Sequence, residues 1–144
     1  MQLQFLWRWF LFKLNIIEGI GDSYEQKLKE AGIKSSEQLL ESCSSKKGRT
    51  KLAEKTGITE KLILKWTNHA DLFRIKEVGG EYAELLEAAG VDTVPELAKR
   101  KADNLAAKMA EVNEAKKLVR RIPTPKQVGY WIEQAGKLPR IMQY

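Results

Sequence analysis

Ile17-Glu18-Gly19-Ile20-Gly21 and Ile75-Lys76-Glu77-Val78-Gly79 stand 58 residues apart, and the match between them does not end with the glycines. At the same offset Tyr24 meets Tyr82, Leu28 meets Leu86, and Ala31-Gly32-Ile33 meets Ala89-Gly90-Val91. Ser35 then meets Thr93, and Leu39 meets Leu97. What recurs is a set of apolar positions, a helix-stopping glycine and a capping hydroxyl. A backbone shape demands such residues, so the 144-residue chain reads as an internal repeat.

Each repeat reads as short helices. Asp22 with Glu25 three residues on predicts a capping-box start, and Tyr24, Leu28 and Ala31 share the face that follows. Gly32-Ile33 and Gly90-Val91 predict Schellman-type stops, with the glycine left-handed and the next apolar residue folded back. Ser35 with Gln38, and Thr93 with Glu96, predict the starts of second helices. A helix over Lys46–Lys55 ends at Gly57-Ile58, and Thr59 caps one carrying Leu62, Trp66 and Ala70. In the second half Leu105, Ala106 and Met109 mark a helix. Asn113 is expected to cap another through Leu118 and Ile122, and Thr124-Pro125 to open a last one that buries Val128 and Trp131 and ends by Pro139. No window outside Gln2–Trp9 alternates long enough for a strand. The expectation is an all-α fold of two fused repeats, with about eight to nine helices, divided as 1–15, an aromatic extension, 16–74 and 75–144.

Composition narrows the function. The chain is 43% hydrophobic and 31% charged, which excludes wholesale disorder. Its single cysteine, Cys43, allows no internal disulfide, and one histidine, His69, with one cysteine cannot build a zinc site. Ten glycines and four prolines argue against an all-β fold. The stretch Leu3–Leu14 is interrupted by Arg8 and Lys13 and falls short of the roughly 20 residues a spanning helix needs. It lacks the basic start and small-x-small cleavage site of a signal peptide, so the expected location is cytoplasmic.

Glu18-Gly19-Ile20-Gly21-Asp22 carries the tight Gly-apolar-Gly turn of a helix-hairpin-helix motif. Its continuation, Leu28-x3-Gly32-Ile33-x5-Leu39, resembles the paired helix-hairpin-helix units of the C-terminal domain of the bacterial RNA polymerase alpha subunit. From residue 16 onward the chain resembles a bacterial family of tandem helix-hairpin-helix domains of unknown function. The linking stretch Ala70-Asp71-Leu72-Phe73-Arg74-Ile75-Lys76 and Trp131-Ile132-Glu133-Gln134-Ala135 carry that likeness. The resemblance implies binding to nucleic-acid backbones without sequence readout, with turn N–H groups and a helix N-terminus facing a phosphate. The turn residues would be Gly19, Ile20 and Gly21; Gly57 and Ile58; and Val78, Gly79 and Gly80. Both clean turns are flanked by carboxylates, Glu18 and Asp22 in one, Glu77 and Glu81 in the other, which repel a phosphate.

Charge is segregated along the chain, whose formal net charge is +6. From Lys46 to Lys65 seven basic residues face Glu54 and Glu60; from Lys99 to Arg121 eight face Asp103, Glu111 and Glu114. Between Arg74 and Ala98 six acidic residues face two basic ones. The candidate backbone contacts are Lys46, Lys47, Arg49, Lys51, Lys55 and Lys61 in the first segment, and Lys101, Lys108, Lys116, Lys117, Arg120 and Arg121 in the second. An ordinary solvated helix face is the competing reading of both. Trp66 and Trp131 read as core, Cys43 as a buried apolar residue, and His69 as a last-turn residue favoured by the helix dipole. No acid–base pair is visible, so neither an enzyme nor a cofactor is expected.

Phe5, Trp7, Trp9 and Phe10 crowd the N-terminus. They are candidates for a protein contact, for self-association or for peripheral membrane contact, and a mis-assigned start is a further reading. Two functions follow: weak, sequence-independent binding of nucleic acid through the basic segments, or a protein–protein adaptor using the aromatic N-terminus and the acidic face. One continuous basic face would favour the first and separate faces the second.

Overall fold

The computed structural model describes residues 13–144, and within them the chain forms eight α-helices. A 3-10 turn over Leu14–Ile16 precedes α1 (Asp22–Glu30), α2 (Ser36–Cys43), α3 (Lys46–Thr56) and α4 (Glu60–Leu72). The second half repeats the order as α5 (Gly80–Ala88), α6 (Val94–Ala98), α7 (Ala102–Lys116) and α8 (Pro125–Lys137). An isolated antiparallel bridge joins Lys13 to Ser35, and no strand forms among the described residues.

The 58-residue offset survives as geometry. Gly32 and Gly90 are both left-handed, at φ +90° and +97°. The apolar residue after each donates back to the helix, Ile33 N to Leu28 O and Val91 N to Leu86 O, both at 2.8 Å. Gly19, at φ +95°, corresponds to Glu77, at φ +83°, so the turn before α1 and α5 is left-handed in both halves. Ser35, Ser45, Thr59 and Thr124 cap α2, α3, α4 and α8 by accepting a backbone N–H.

Two starts and one helix depart from the sequence reading. Gly21, not Asp22, is the N-cap of α1, and no side chain caps it; Asp22 is already helical. Thr93 is the N-cap of α6, but its hydroxyl takes no backbone N–H. The first N–H of the helix, Val94 N, donates to Asp71 Oδ2 at 2.8 Å. Asn113 starts no helix. It lies inside α7, where its side-chain amide both donates to Val119 O (3.0 Å) and accepts from Val119 N (2.9 Å). Residues 117–124 are therefore a clamped connection, because Asn113 satisfies the backbone of the loop rather than that of a new helix.

Packing follows the repeat. α2 and α3 lie on α4, α6 and α7 lie on α8, α5 lies on α7, and α4 against α5 joins the halves. One continuous apolar core runs through both, from Leu14 and Leu28 through Trp66 and Phe73 to Leu86 and Trp131. Leu14 is fully buried, so a residue of the expected extension belongs to the core. The same aromatic pair stands in each half: Tyr24 on Trp66 at 5.0 Å and Tyr82 on Trp131 at 5.1 Å.

Two glycines separate conformational cost from steric cost. At Gly32 a Cβ would meet no atom, and only the positive φ resists a side chain. At Gly48 the φ is ordinary, but a Cβ would run into the Ser42 carbonyl where α2 and α3 cross. Gly32→Ala should cost about 1 kcal/mol. Gly48→Ala should cost about 1–3 kcal/mol, because backbone must move. Urea midpoints at unchanged slope would check the order, and equal costs would refute the steric argument.

Candidate functional site

α3 and the start of α4 carry the first basic segment. Lys47, Lys51 and Lys55 recur every four residues, which aligns them along one side of α3; all are exposed, as are Lys46 and Lys61. Lys55 Nζ also donates to Ala31 O at 3.3 Å. Arg49 leaves this set. It is 4% exposed, and its guanidinium donates to the carbonyls of Cys43, Ser44 and Gln143 at 2.9–3.1 Å. It holds the end of α2 and the C-terminal tail together, so its charge is spent inside the protein.

In the second half Lys101 is the N-cap of α7, Lys116 lies in its last turn, and Lys117 takes a left-handed cap at φ +52°. Arg120 and Arg121 stand in the following loop, and all five are exposed. Lys108, also exposed, lies 3.9 Å from Glu111. It is the one member of the proposed set with a carboxylate at ion-pair distance among the described residues. α3 packs on α2 and α4 of the first half, and α7 on α5 and α8 of the second.

The turn residues divide by chemistry. Ile20, Ile58 and Val78 are buried and pin their turns to the core. Gly57 closes α3 in the left-handed conformation. Gly21 and Gly79 are N-caps without a side-chain acceptor. Gly80 presses on the Ile16 carbonyl, where a Cβ would collide. Glu77 has a structural reason to stand where the first repeat has Gly19: its Oε1 accepts from Trp131 Nε1 at 3.2 Å. The matching Trp66 Nε1 lies under Gly19, buried and without an acceptor among the described residues.

Three partly buried carboxylates, Glu84, Glu87 and Asp92, lie at the seam between the halves. His69, fully buried in the last turn of α4, meets Glu87 of α5 at 3.1 Å, and Lys65 approaches the same oxygen at 3.8 Å. Burial alone would push Glu87 up; the hydrogen bond and charge of His69, aided by Lys65, outweigh it and hold the carboxyl below its ordinary value. Glu84 is pushed up by burial and by the charge of Glu18. Asp92 is pushed up by burial and by the charge of Glu87. Burial likewise lifts the Cys43 thiol to about 11, against the pull of Arg49 and Thr67, which keeps it protonated and unreactive at neutral pH. A cavity of about 510 Å3 lies along α4, lined by Lys61, Leu62, Leu64, Lys65, Asn68 and Glu87. Among the described residues no cluster of His, Cys, Asp and Glu could hold a metal ion. Phe5, Trp7, Trp9 and Phe10, and the strand considered over Gln2–Trp9, lie outside the described residues.

Sequence reasoning missed three exposed residues beside the second basic cluster: Ile122, Lys126 and Tyr130. The signal was present, since no carboxylate occurs between Glu114 and Glu133.

The fold and its charges define a two-repeat all-α module with a polar seam and basic flanks. The chain belongs to the family described as Domain of unknown function (DUF4332), which matches residues 18–138. No curated protein and no solved structure matches it. No helix among the described residues is long and apolar enough to cross a membrane.

The seam sets a pH dependence with two opposite signs. Glu87 sits below its unfolded pKa, so its contribution is present above that value and is lost as pH falls through the folded one. Glu84 and Asp92 sit above theirs, so they favour folding at low pH and oppose it once ionised. Asp92→Asn and Glu84→Gln should each raise Tm at pH 7, with the gain closing as pH drops below the ordinary carboxylate range. Glu87→Gln should lower Tm at pH 7. Melting curves at neutral and acid pH would check both signs, and a loss at pH 7 for Asp92→Asn would overturn the assignment.

Proposed function

We propose that the protein is a non-enzymatic binding module, built of two helix-hairpin-helix repeats, that holds nucleic-acid backbones without reading sequence. The supporting observation is what folding leaves free. Of the twelve cations singled out by the sequence, eleven stay exposed, and Lys108 alone has a carboxylate at ion-pair distance among the described residues. Unneutralised lysines aligned on a helix attract phosphates and release their counterions on binding. The seam carboxylates Glu84, Glu87 and Asp92 are partly buried, and Lys65 and His69 engage Glu87. Glu77, which the sequence places beside the second turn, is occupied by Trp131.

A protein–protein adaptor is the second reading. α3 and α7 pack on the helices of separate halves, an arrangement that suits two partners. The aromatic N-terminus would then supply further contact area.

Binding of labelled DNA and RNA duplexes across a salt series tests the choice. The expected affinity is weak, indifferent to sequence and steeply salt-dependent. Lys47→Glu, Lys51→Glu and Lys55→Glu together should weaken it by about tenfold or more, whereas Glu18→Lys should strengthen it. Arg49 is left in place, because reversing a buried cation would unfold the protein. Affinity that survives high salt, or that ignores the α3 lysines and the second segment alike, refutes the mechanism. Undetectable binding at low salt leaves the adaptor.

A further inference from the structure

The two halves differ most where α7 meets α8. In the first half α3 passes to α4 through three residues, Gly57, Ile58 and Thr59. In the second the connection runs from Lys117 to Thr124, eight residues, and the offset between matching positions grows from 58 to 65, as Thr59–Thr124 and Trp66–Trp131 show. Closing the helical pair does not require this length, since the first half closes without it.

The longer connection is a built element. The Asn113 amide grips Val119 on both backbone groups, Tyr82 Oη donates to Arg121 O at 3.0 Å, and Val119 and Pro123 are buried. Tyr82 also packs on Trp131, so the loop is tied to the aromatic pair of its own half. Anchoring those groups leaves the side chains of Arg120, Arg121 and Ile122 exposed. From Glu114 to Glu133 the chain carries Lys116, Lys117, Arg120, Arg121 and Lys126 with no carboxylate among them. Two large apolar side chains stand beside these cations, Ile122 at 43% exposure and Tyr130 at 42%, the latter one helical turn beyond Lys126 on α8.

We infer that this clamped loop and the first turns of α8 bind single-stranded nucleic acid, with cations on its phosphates and unstacked bases on Tyr130 and Ile122. The inference rests on the nucleic-acid reading above and names the strand class that one half takes. A duplex offers its outer face as phosphates, which five cations satisfy and to which an exposed tyrosine and isoleucine add nothing. A single strand offers base faces as well, and aromatic side chains stack on these irrespective of sequence. An anionic membrane fits less well. The apolar face of α8, Val128, Trp131 and Ala135, is already buried in the core, so α8 has no second apolar face to enter a bilayer. Holding the loop rigid before binding removes the ordering cost a mobile loop would incur.

The test uses the full chain with three probes: a fluorescein-labelled oligo-dT strand, a duplex of equal length, and phosphatidylserine vesicles. The strand should bind more tightly than the duplex. Tyr130→Ala with Ile122→Ala should weaken strand binding by about tenfold and leave duplex binding unchanged. Arg120→Gln with Arg121→Gln should make the strand's log–log salt slope shallower by about 1.4. All four positions are exposed, and unchanged helicity and melting would confirm that each variant folds. If the wild type binds neither strand nor duplex, this inference and the reading beneath it fall together. Should nucleic acid bind while the loop variants match the wild type, or the duplex be preferred, the inference alone falls. Capture by vesicles that the same substitutions abolish, without strand binding, assigns the surface to lipid and overturns it.

Discussion

Asp71 holds the two halves in register. Its carboxylate is fully buried and both oxygens are used: Oδ1 takes Arg74 Nη1 at 2.7 Å, and Oδ2 takes the backbone N–H of Val94 at 2.8 Å. The second bond caps α6, a five-residue helix whose own N-cap hydroxyl takes no backbone donor. A helix of the second half is thus started by the last turn of the first. Arg74 extends the link by donating to Pro139 O at 2.6 Å, which brings the tail back across the joint. Buried ion pairs add little net stability over apolar packing, but removing one member strands the other at a cost of about 3–5 kcal/mol. The pair therefore acts chiefly as a lock on geometry. Each hydrogen bond specifies a partner in another element, which apolar contact between α4 and α5 does not.

The tail completes the same joint. Met142 is fully buried, and Gln143 exchanges bonds with the first half through Ser44 O and Arg49. Tyr144 reaches Asn68 Oδ1 at 3.3 Å, while Arg49 lies 5.9 Å from the centre of its ring. Two buried arginines, 49 and 74, thus each spend a donor on a tail carbonyl. Their side chains are long enough to span an inter-element gap, and the guanidinium fork satisfies several acceptors at once.

The repeat was legible because its signals are local. A glycine is the residue that sits at φ near +90° without strain, and the apolar spacing around Gly32 and Gly90 shows on the sequence itself. Capping at Ser35, Thr59 and Thr124 was legible for the same reason: acceptor and donor lie three residues apart. Three failures lie in contacts beyond one helical turn. Glu77 is left-handed without being glycine, and its partner Trp131 is 54 residues away. Arg49 looked like one more surface cation, yet one of its acceptors, Gln143, is 94 residues distant. Asn113 looked like a cap because a cap and a loop clamp use the same amide; only the position of Val119 decides between them. Of the candidate site, the cations themselves were legible. Which of them the fold would leave unpaired was not, since pairing is a property of surfaces brought together.

Half of the acidic stretch that the sequence sets apart comes to lie at the joint between the halves. The acidic stretch between Arg74 and Ala98 forms α5 and α6, the elements that face the joint, and there Glu84, Glu87 and Asp92 lie partly buried. The basic stretches form α3, α7 and the connection to α8, on the flanks. Partial burial has opposite consequences for the two signs. A half-buried carboxylate near other carboxylates carries a desolvation cost, which pushes the Glu84 and Asp92 carboxyls up. An exposed lysine keeps its full charge and its hydration, and loses only a counterion on contact. The arrangement also explains why the carboxylates beside the glycine turns need not defeat anion binding elsewhere. At physiological salt, fields between exposed charges fade over roughly 8 Å, so a carboxylate beside a glycine turn acts chiefly on a phosphate seated close to it.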